Sequence, residues 1–199
     1  MPTGVEVDGR TARRNRNKDA VLDALIEMAS EGRAEPPIED IAERAGVSYR
    51  SVYRYFDDRT DLMLSAIARV MGDMWPIFDI EQLGEGPLDE RIDRLISVRL
   101  TAYRQLAPLT RAAVHLRANE PAVAEGYDHV RDYLRDQLAQ QLAPELSVMV
   151  ESERELVLAS LDVMFQFEAL DYLAKHDGMD DEAMTRVLAR HIRAHLAVG

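Results

Sequence analysis

The sequence predicts an all-α protein, and three observations carry that expectation. No stretch sustains the period-2 alternation of β-branched residues that a half-buried strand needs. Several stretches place apolar residues three and four apart, and glycine or proline breakers leave helix-length segments between them. With 199 residues, 47% hydrophobic and 30% charged, the chain can bury a core as one medium domain or two small ones. It has no cysteines, which excludes disulfides, thiolate metal sites and a cysteine nucleophile. The first twenty residues lack the apolar stretch of a signal peptide, and no run of about 18 apolar residues occurs, so a cytoplasmic protein without a membrane partner is expected.

Taken in order, the elements follow from stripes and breakers. Val21, Leu22, Leu25, Ile26 and Ala29 stripe a first helix that Gly32 ends, and Pro36-Pro37 breaks the chain. A short segment from Ile38 to Ala45 follows, then Gly46-Val47-Ser48 and a second short segment ending at Phe56. Asp57-Asp58-Arg59-Thr60 opens a longer helix with Met63, Ile67, Val70, Met71, Met74 and Phe78 along one side. Beyond Gly84-Glu85-Gly86-Pro87, helices are expected from about Leu88, Pro108, Pro121, Ser147 and Asp180. The helix from Ser147 is apolar on more than one side (Leu156, Val157, Leu161, Phe165, Leu170), which fits one packing its own core and a second copy in a homodimer.

The net charge of −12 is unevenly spread: residues 1–72 sum to −2 and residues 73–199 to −10. Between Gly9 and Lys18 stand five bases (Arg10, Arg13, Arg14, Arg16, Lys18) and no acid, without large apolar residues, and this reads as a basic flexible arm over residues 1–17.

Residues 38–56, IEDIAERAGVSYRSVYRYF, are the informative stretch. Two short helices joined by a tight corner need a residue that accepts positive φ, which Gly46 supplies. Ile41, Ala42, Ala45, Val47, Val52 and Phe56 are spaced to close a small core, and Ser48 is a good N-cap for the second helix. That leaves Tyr49, Arg50, Ser51, Tyr53, Arg54 and Tyr55 facing outward, an aromatic and basic set that suggests a binding face.

The first helix, the IAERAGVS turn, the YRYF end and the following DDRTDLMLSAI resemble the TetR (tetracycline-repressor-like) family of bacterial transcriptional regulators over about Lys18 to Ile67. The resemblance implies an N-terminal three-helix, helix-turn-helix DNA-binding domain (residues 18–60) and a C-terminal helical effector-binding and dimerisation domain (residues 61–199). It further implies a homodimeric repressor on palindromic double-stranded operator DNA, released by a small-molecule effector. Tyr53, Tyr55 and Arg59 match the family's phosphate-contacting positions, with Arg59 standing where lysine is usual. Ser48, Tyr49, Arg50 and Ser51 lie at the end of the helix that enters the major groove, while Arg54 suits either role. Arg50 stands where the family usually has a small residue, and arginine there suggests guanine contact. Pro37 stands where a Ser or Thr cap is common. The alternative from another class is a helical ligand-binding or protein-interaction module that no longer reads DNA.

Nothing points to an enzyme: HExxH, Walker, GxGxxG and GxSxG motifs are absent, and no cofactor is implied. His191 and His195 have a metal-like spacing but fall mid-stripe on the last helix, as packed interface residues would, so no metal site is expected. Two charges sit on the centre lines of apolar stripes, Arg99 in the helix from Leu88 and Glu168 in the helix from Ser147. A lone buried charge is too costly to keep. These two should therefore pair, snorkel, or line an effector cavity together with Met71, Met74, Trp75, Phe78, Tyr103, Met164 and Phe165.

Overall fold

The computed structural model describes residues 9–33 and 36–197, apart from the side chains of Arg10, Ala112, Ala113 and His115; all regular structure among them is helical. The first eight residues of the expected arm lie outside the described residues. The rest of that arm is helix: α1 spans Gly9–Ser30, more than two turns longer than its apolar stripe. Arginine, lysine and alanine are good helix formers, so the basic stretch extends the helix that the core nucleates behind it. Gly32 ends it at φ +89°, with its N–H bonded to Ala29 and that of Arg33 to Met28, which closes the last turn.

α2 (Ile38–Arg44) starts without a side-chain cap because Pro37 holds the capping position. Gly46 turns the corner at φ +66° and lets the Val47 N–H reach back to the Ala42 carbonyl at 3.0 Å. α3 (Tyr49–Tyr55) is capped by Ser48, whose hydroxyl accepts from the Ser51 N–H. α4 (Arg59–Met74) is capped by Asp58, which accepts from the Asp61 N–H, while the Asp61 carboxylate accepts from the Asp57 N–H. These four helices share a core in which Val21, Leu25, Met28, Ile41, Val52 and Phe56 are buried. That core runs through Leu62, Met63 and Ala66 of α4, past the expected division at residue 60. α4 stops short of Phe78 because Pro76 cannot continue its hydrogen bonding, and Trp75–Phe78 form a 3₁₀ turn.

α5 (Leu88–Arg117) overturns the expected break at Pro108, which lies inside one continuous helix. An internal proline costs ~3 kcal/mol. The helix outweighs it by burying Ile92, Leu95, Ile96 and Leu100 in a second core, while Leu116 at its far end packs on the first core. α6 (Pro121–Gln141) and the single turn α7 (Ala143–Leu146) follow. The single helix expected from Ser147 is also corrected. α8 (Glu151–Met164) ends at Phe165, and α9 (Phe167–Asp171) runs into a π-helical turn, Tyr172–His176. The Gln166 side-chain amide takes up the Asp162 carbonyl and carboxylate at the break, and Phe165 and Leu170 are buried on either side of it. α10 (Asp181–Leu196), capped by Asp180, buries Met184, Leu188, Ala189 and Ile192 against α5 and α8.

Arg91 is a buried charge with no counterpart in the sequence reading. It is 2% exposed, pairs with Glu145 and donates to the Gln141 carbonyl at 2.6 Å and the Gly86 carbonyl at 3.1 Å. The Gln141 side chain joins the Gly84 N–H to the Arg91 carbonyl, tying the loop before α5 to the end of α6.

Candidate nucleic-acid interface and ligand cavity

The helix-turn-helix presents its polar side outward. Tyr49 and Tyr53 are about half exposed, their rings meet edge to face at 5.0 Å, and the Tyr49 hydroxyl donates to that of Tyr53. That bond raises the Tyr49 phenol above its ordinary pKa. Arg50 and Arg54 are exposed, Ser48 is exposed through its cap, and Arg59 is half-buried at the start of α4. Tyr55 corrects the expected outward set: it is 7% exposed, and its hydroxyl accepts from Asn17 at 3.2 Å and Arg54 at 3.1 Å. These donors, Asn17 foremost, lower its phenol pKa. The signal was available, because Tyr55 lies three residues after Val52 and next to Phe56, on the inward side of the helix.

Asn17 belongs to the stretch expected to be a free arm, and its bond to Tyr55 holds that stretch against α3. Between them runs a groove lined by Arg13, Arg14 and Asn17 of α1 and by Ser48, Ser51 and Arg54, with no acidic residue in its wall among the described residues. The structure therefore sets two arginines of α1 beside the α3 residues that the sequence singled out.

A second concavity, about 130 Å³, lies among the end of α4, α5, α6 and the α8–α9 junction. Of the expected set, Met71, Met74, Phe78, Arg99, Tyr103 and Phe165 line it. Trp75 does not: it packs edge-on against Tyr133, His129 and Phe78 beside the cavity. Met164 packs on the second core instead. Glu168 is exposed and stands 3.8 Å from Arg117, because the break after Phe165 resets the helical phase on which its central position depended. It does not pair with Arg99. Tyr127, Arg131, Gln166 and Phe167 line the cavity without having been marked by the sequence.

Arg99 is 3% exposed and donates to the Gln137 side-chain oxygen at 2.6 Å and the Leu134 carbonyl at 3.0 Å. Burial lowers its pKa to about 10. The Gln137 amide in turn donates to the Phe78 carbonyl at 2.6 Å, so one polar chain joins the cavity to the segment that follows α4. Tyr103 donates to Asp171 at 2.8 Å, and Arg111 pairs with the same carboxylate; burial first, then that bond, pushes the Tyr103 phenol up to about 12.

On the opposite side of the second core, His191 and His195 lie ring to ring at 4.6 Å, with His195 Nε2 bonded to the Ser160 hydroxyl and His191 Nε2 facing the Ser160 carbonyl. Leu156 and Val163 of α8 are exposed, at 72% and 61%. Among the described residues, no helix is long and apolar enough to cross a membrane, and no three His, Asp or Glu side chains gather as a metal site would need.

Fold and site together define an all-helical protein with an N-terminal helix-turn-helix. Residues 21–66 match the family described as bacterial regulatory proteins, tetR family. Over 124 residues the chain is 32% identical to the HTH-type transcriptional repressor KstR of Mycolicibacterium smegmatis, a match covering 61% of this chain and 60% of that repressor. The chain thus spans about three-fifths of the length of the curated relative it matches. Among solved structures, it is similar in fold to a transcriptional regulator from Rhodococcus sp. Rha1, with TM-score 0.70, 20% identity, and coverage of 91% of this chain and 96% of that one. It is also similar to a tetR-family transcriptional regulator from Streptomyces coelicolor, with TM-score 0.69, 23% identity, and coverage of 91% and 83%. A third, a proposed regulator from Saccharomonospora viridis in complex with choline, gives TM-score 0.72 at 16% identity, with coverage of 88% and 95%.

Proposed function

We propose that this protein is a cytoplasmic, dimeric, sequence-specific DNA-binding transcriptional regulator, not an enzyme, and that it acts as a repressor released from a palindromic operator by a small molecule. The observation that supports this most is α3 itself, a Ser48-capped helix that leaves Tyr49, Arg50, Tyr53 and Arg54 exposed beside a groove carrying Arg13 and Arg14. Such a surface can neutralise phosphates on both sides of a helix seated in a major groove. The net charge of −12 sits mainly beyond residue 72, away from this face. The division of labour follows the helices: α1 to the first half of α4 read DNA, and the rest binds the effector and the partner copy. The exposed Leu156 and Val163 of α8, with His191 and His195 of α10 beside them, form the two-fold face.

Selection of binding sites from random duplex DNA tests the proposal. The expected product is an inverted repeat whose half-sites lie about one helical turn, or a multiple of it, apart. Recovery of unrelated sequences with equal affinity would contradict it.

A further inference from the structure

The cavity wall has a charge pattern unlike that of the chain that builds it. The protein carries 36 acidic and 24 basic lysine and arginine side chains, yet among the described residues the cavity is lined by two arginines, Arg99 and Arg131, and no carboxylate. Arg99 is the unusual one. It is 3% exposed, and both groups that accept its hydrogen bonds, the Gln137 amide oxygen and the Leu134 carbonyl, are uncharged. The carboxylates nearest this region are already engaged: Asp162 with Arg135 at 3.7 Å and with Gln166, and Asp171 with Arg111 and Tyr103. A guanidinium taken out of water with no carboxylate bonded to it is costly, and an anion reaching it recovers part of that cost. The remaining wall is largely apolar, with Met71, Met74, Phe78, Leu106 and Leu134 among its residues, and Arg131 stands exposed at its edge.

Resting on the reading of this cavity as the effector site, we propose that it takes a small amphiphile with an apolar body and a single anionic head group, whose head lies against Arg99. A quaternary ammonium such as choline would set like charge against Arg99, so the ligand class differs from that held by the Saccharomonospora viridis protein. The head group would also meet the Arg99–Gln137–Phe78 chain, the polar link to the end of α4.

Three probes sharing a ten-carbon body separate the head groups: decanoate, 1-decanol and decyltrimethylammonium, each below its critical micelle concentration. Titration calorimetry on the full chain, with Trp75 emission in parallel, should show decanoate binding at least tenfold tighter than decanol and the ammonium weakest. Arg99→Met should remove the preference, lowering decanoate affinity tenfold or more with decanol unchanged, and Arg99→Lys should keep it. Ala102→Phe, which fills the cavity, should abolish binding of decanoate and decanol alike. The wild-type ranking needs no variant to fold. Decanoate binding no tighter than decanol, tightest binding by the ammonium, no binding by any of the three, or a preference that survives Arg99→Met would each overturn the assignment. Binding is measured without DNA. Decanoate that binds as described yet leaves DNA affinity unchanged therefore supports the ligand class while contradicting effector-controlled release.

Discussion

At the scale of single residues, exposure separates candidate DNA-contacting residues from struts on α3. Arg50 is exposed near the N-terminal end of α3 and bonds to no side chain among the described residues, so it can reach a base edge. Arg50→Ala is expected to relax specificity at one position of each half-site, at a cost of about 1–3 kcal/mol, in binding assays across single-base operator variants. Arg59, at the first turn of α4, is a phosphate candidate. Its loss should weaken all sequences alike and lower the salt slope by about one unit. Tyr55 has a structural task instead, since its hydroxyl gathers Asn17 and Arg54. Tyr55→Phe should destabilise the protein by about 0.5–1.5 kcal/mol in urea unfolding, with the amides of residues 9–17 exchanging faster. The motif itself announced the outward arginines and tyrosines. Tyr55 lies inward because its angular position puts it beside Phe56 and Val52, which a pattern of residue types does not express.

At the scale of elements, α1 and α4 carry the functional argument. The basic stretch expected to trail freely is rigid helix, so Arg13 and Arg14 are held beside the turn rather than searching for phosphates. A double Arg13→Ala, Arg14→Ala variant should therefore lose up to two units of salt slope while keeping its preferred sequence. α4 runs from the first core, through Leu62 and Ala66, to the cavity, where Met74 packs with Phe78 and Ala102. Gln137, 4% exposed, connects Arg99 to the Phe78 carbonyl just beyond that helix. Gln137→Leu should leave DNA affinity without ligand close to wild type and reduce the change in DNA affinity that a cavity ligand produces. Equal ligand responses in variant and wild type would show that the coupling runs elsewhere.

At the scale of the whole molecule, the exposed apolar residues of α8 call for a partner surface. α10 belongs to the protomer's own core through Met184, Leu188 and Ile192, so removing it would unfold the chain rather than isolate a monomer. Surface substitutions are the cleaner test: Leu156→Asp with Val163→Asp should yield folded monomers by light scattering, with DNA affinity sharply reduced. Burial lowers the pKa of His191, against the hydrogen bond to the Ser160 carbonyl that raises it, so the folded chain favours its neutral form. A depressed histidine contributes stability that is present above its ordinary value of about 6.5 and is lost as pH falls below it. Folding stability should accordingly fall as pH drops below about 6.5, and a free energy of urea unfolding flat from pH 8 to 5.5 would count against this role for His191.

The sequence by itself determined what depends on neighbours a few residues apart. The all-helical class, the Gly46 corner, the Ser48 cap, the α10 start at Asp180 and the outward arginines of α3 are local matters of φ, capping and apolar spacing. Tertiary structure decided what depends on contacts between distant segments. Pro108 stays inside a helix because both ends of α5 are buried in different cores. The break at Gln166 turns Glu168 out to solvent, while Arg99 finds its acceptors 35 and 38 residues away, at Leu134 and Gln137. A helical stripe records which side of a segment is buried. Which charge faces a cavity without a counter-charge depends on what the other helices place opposite it.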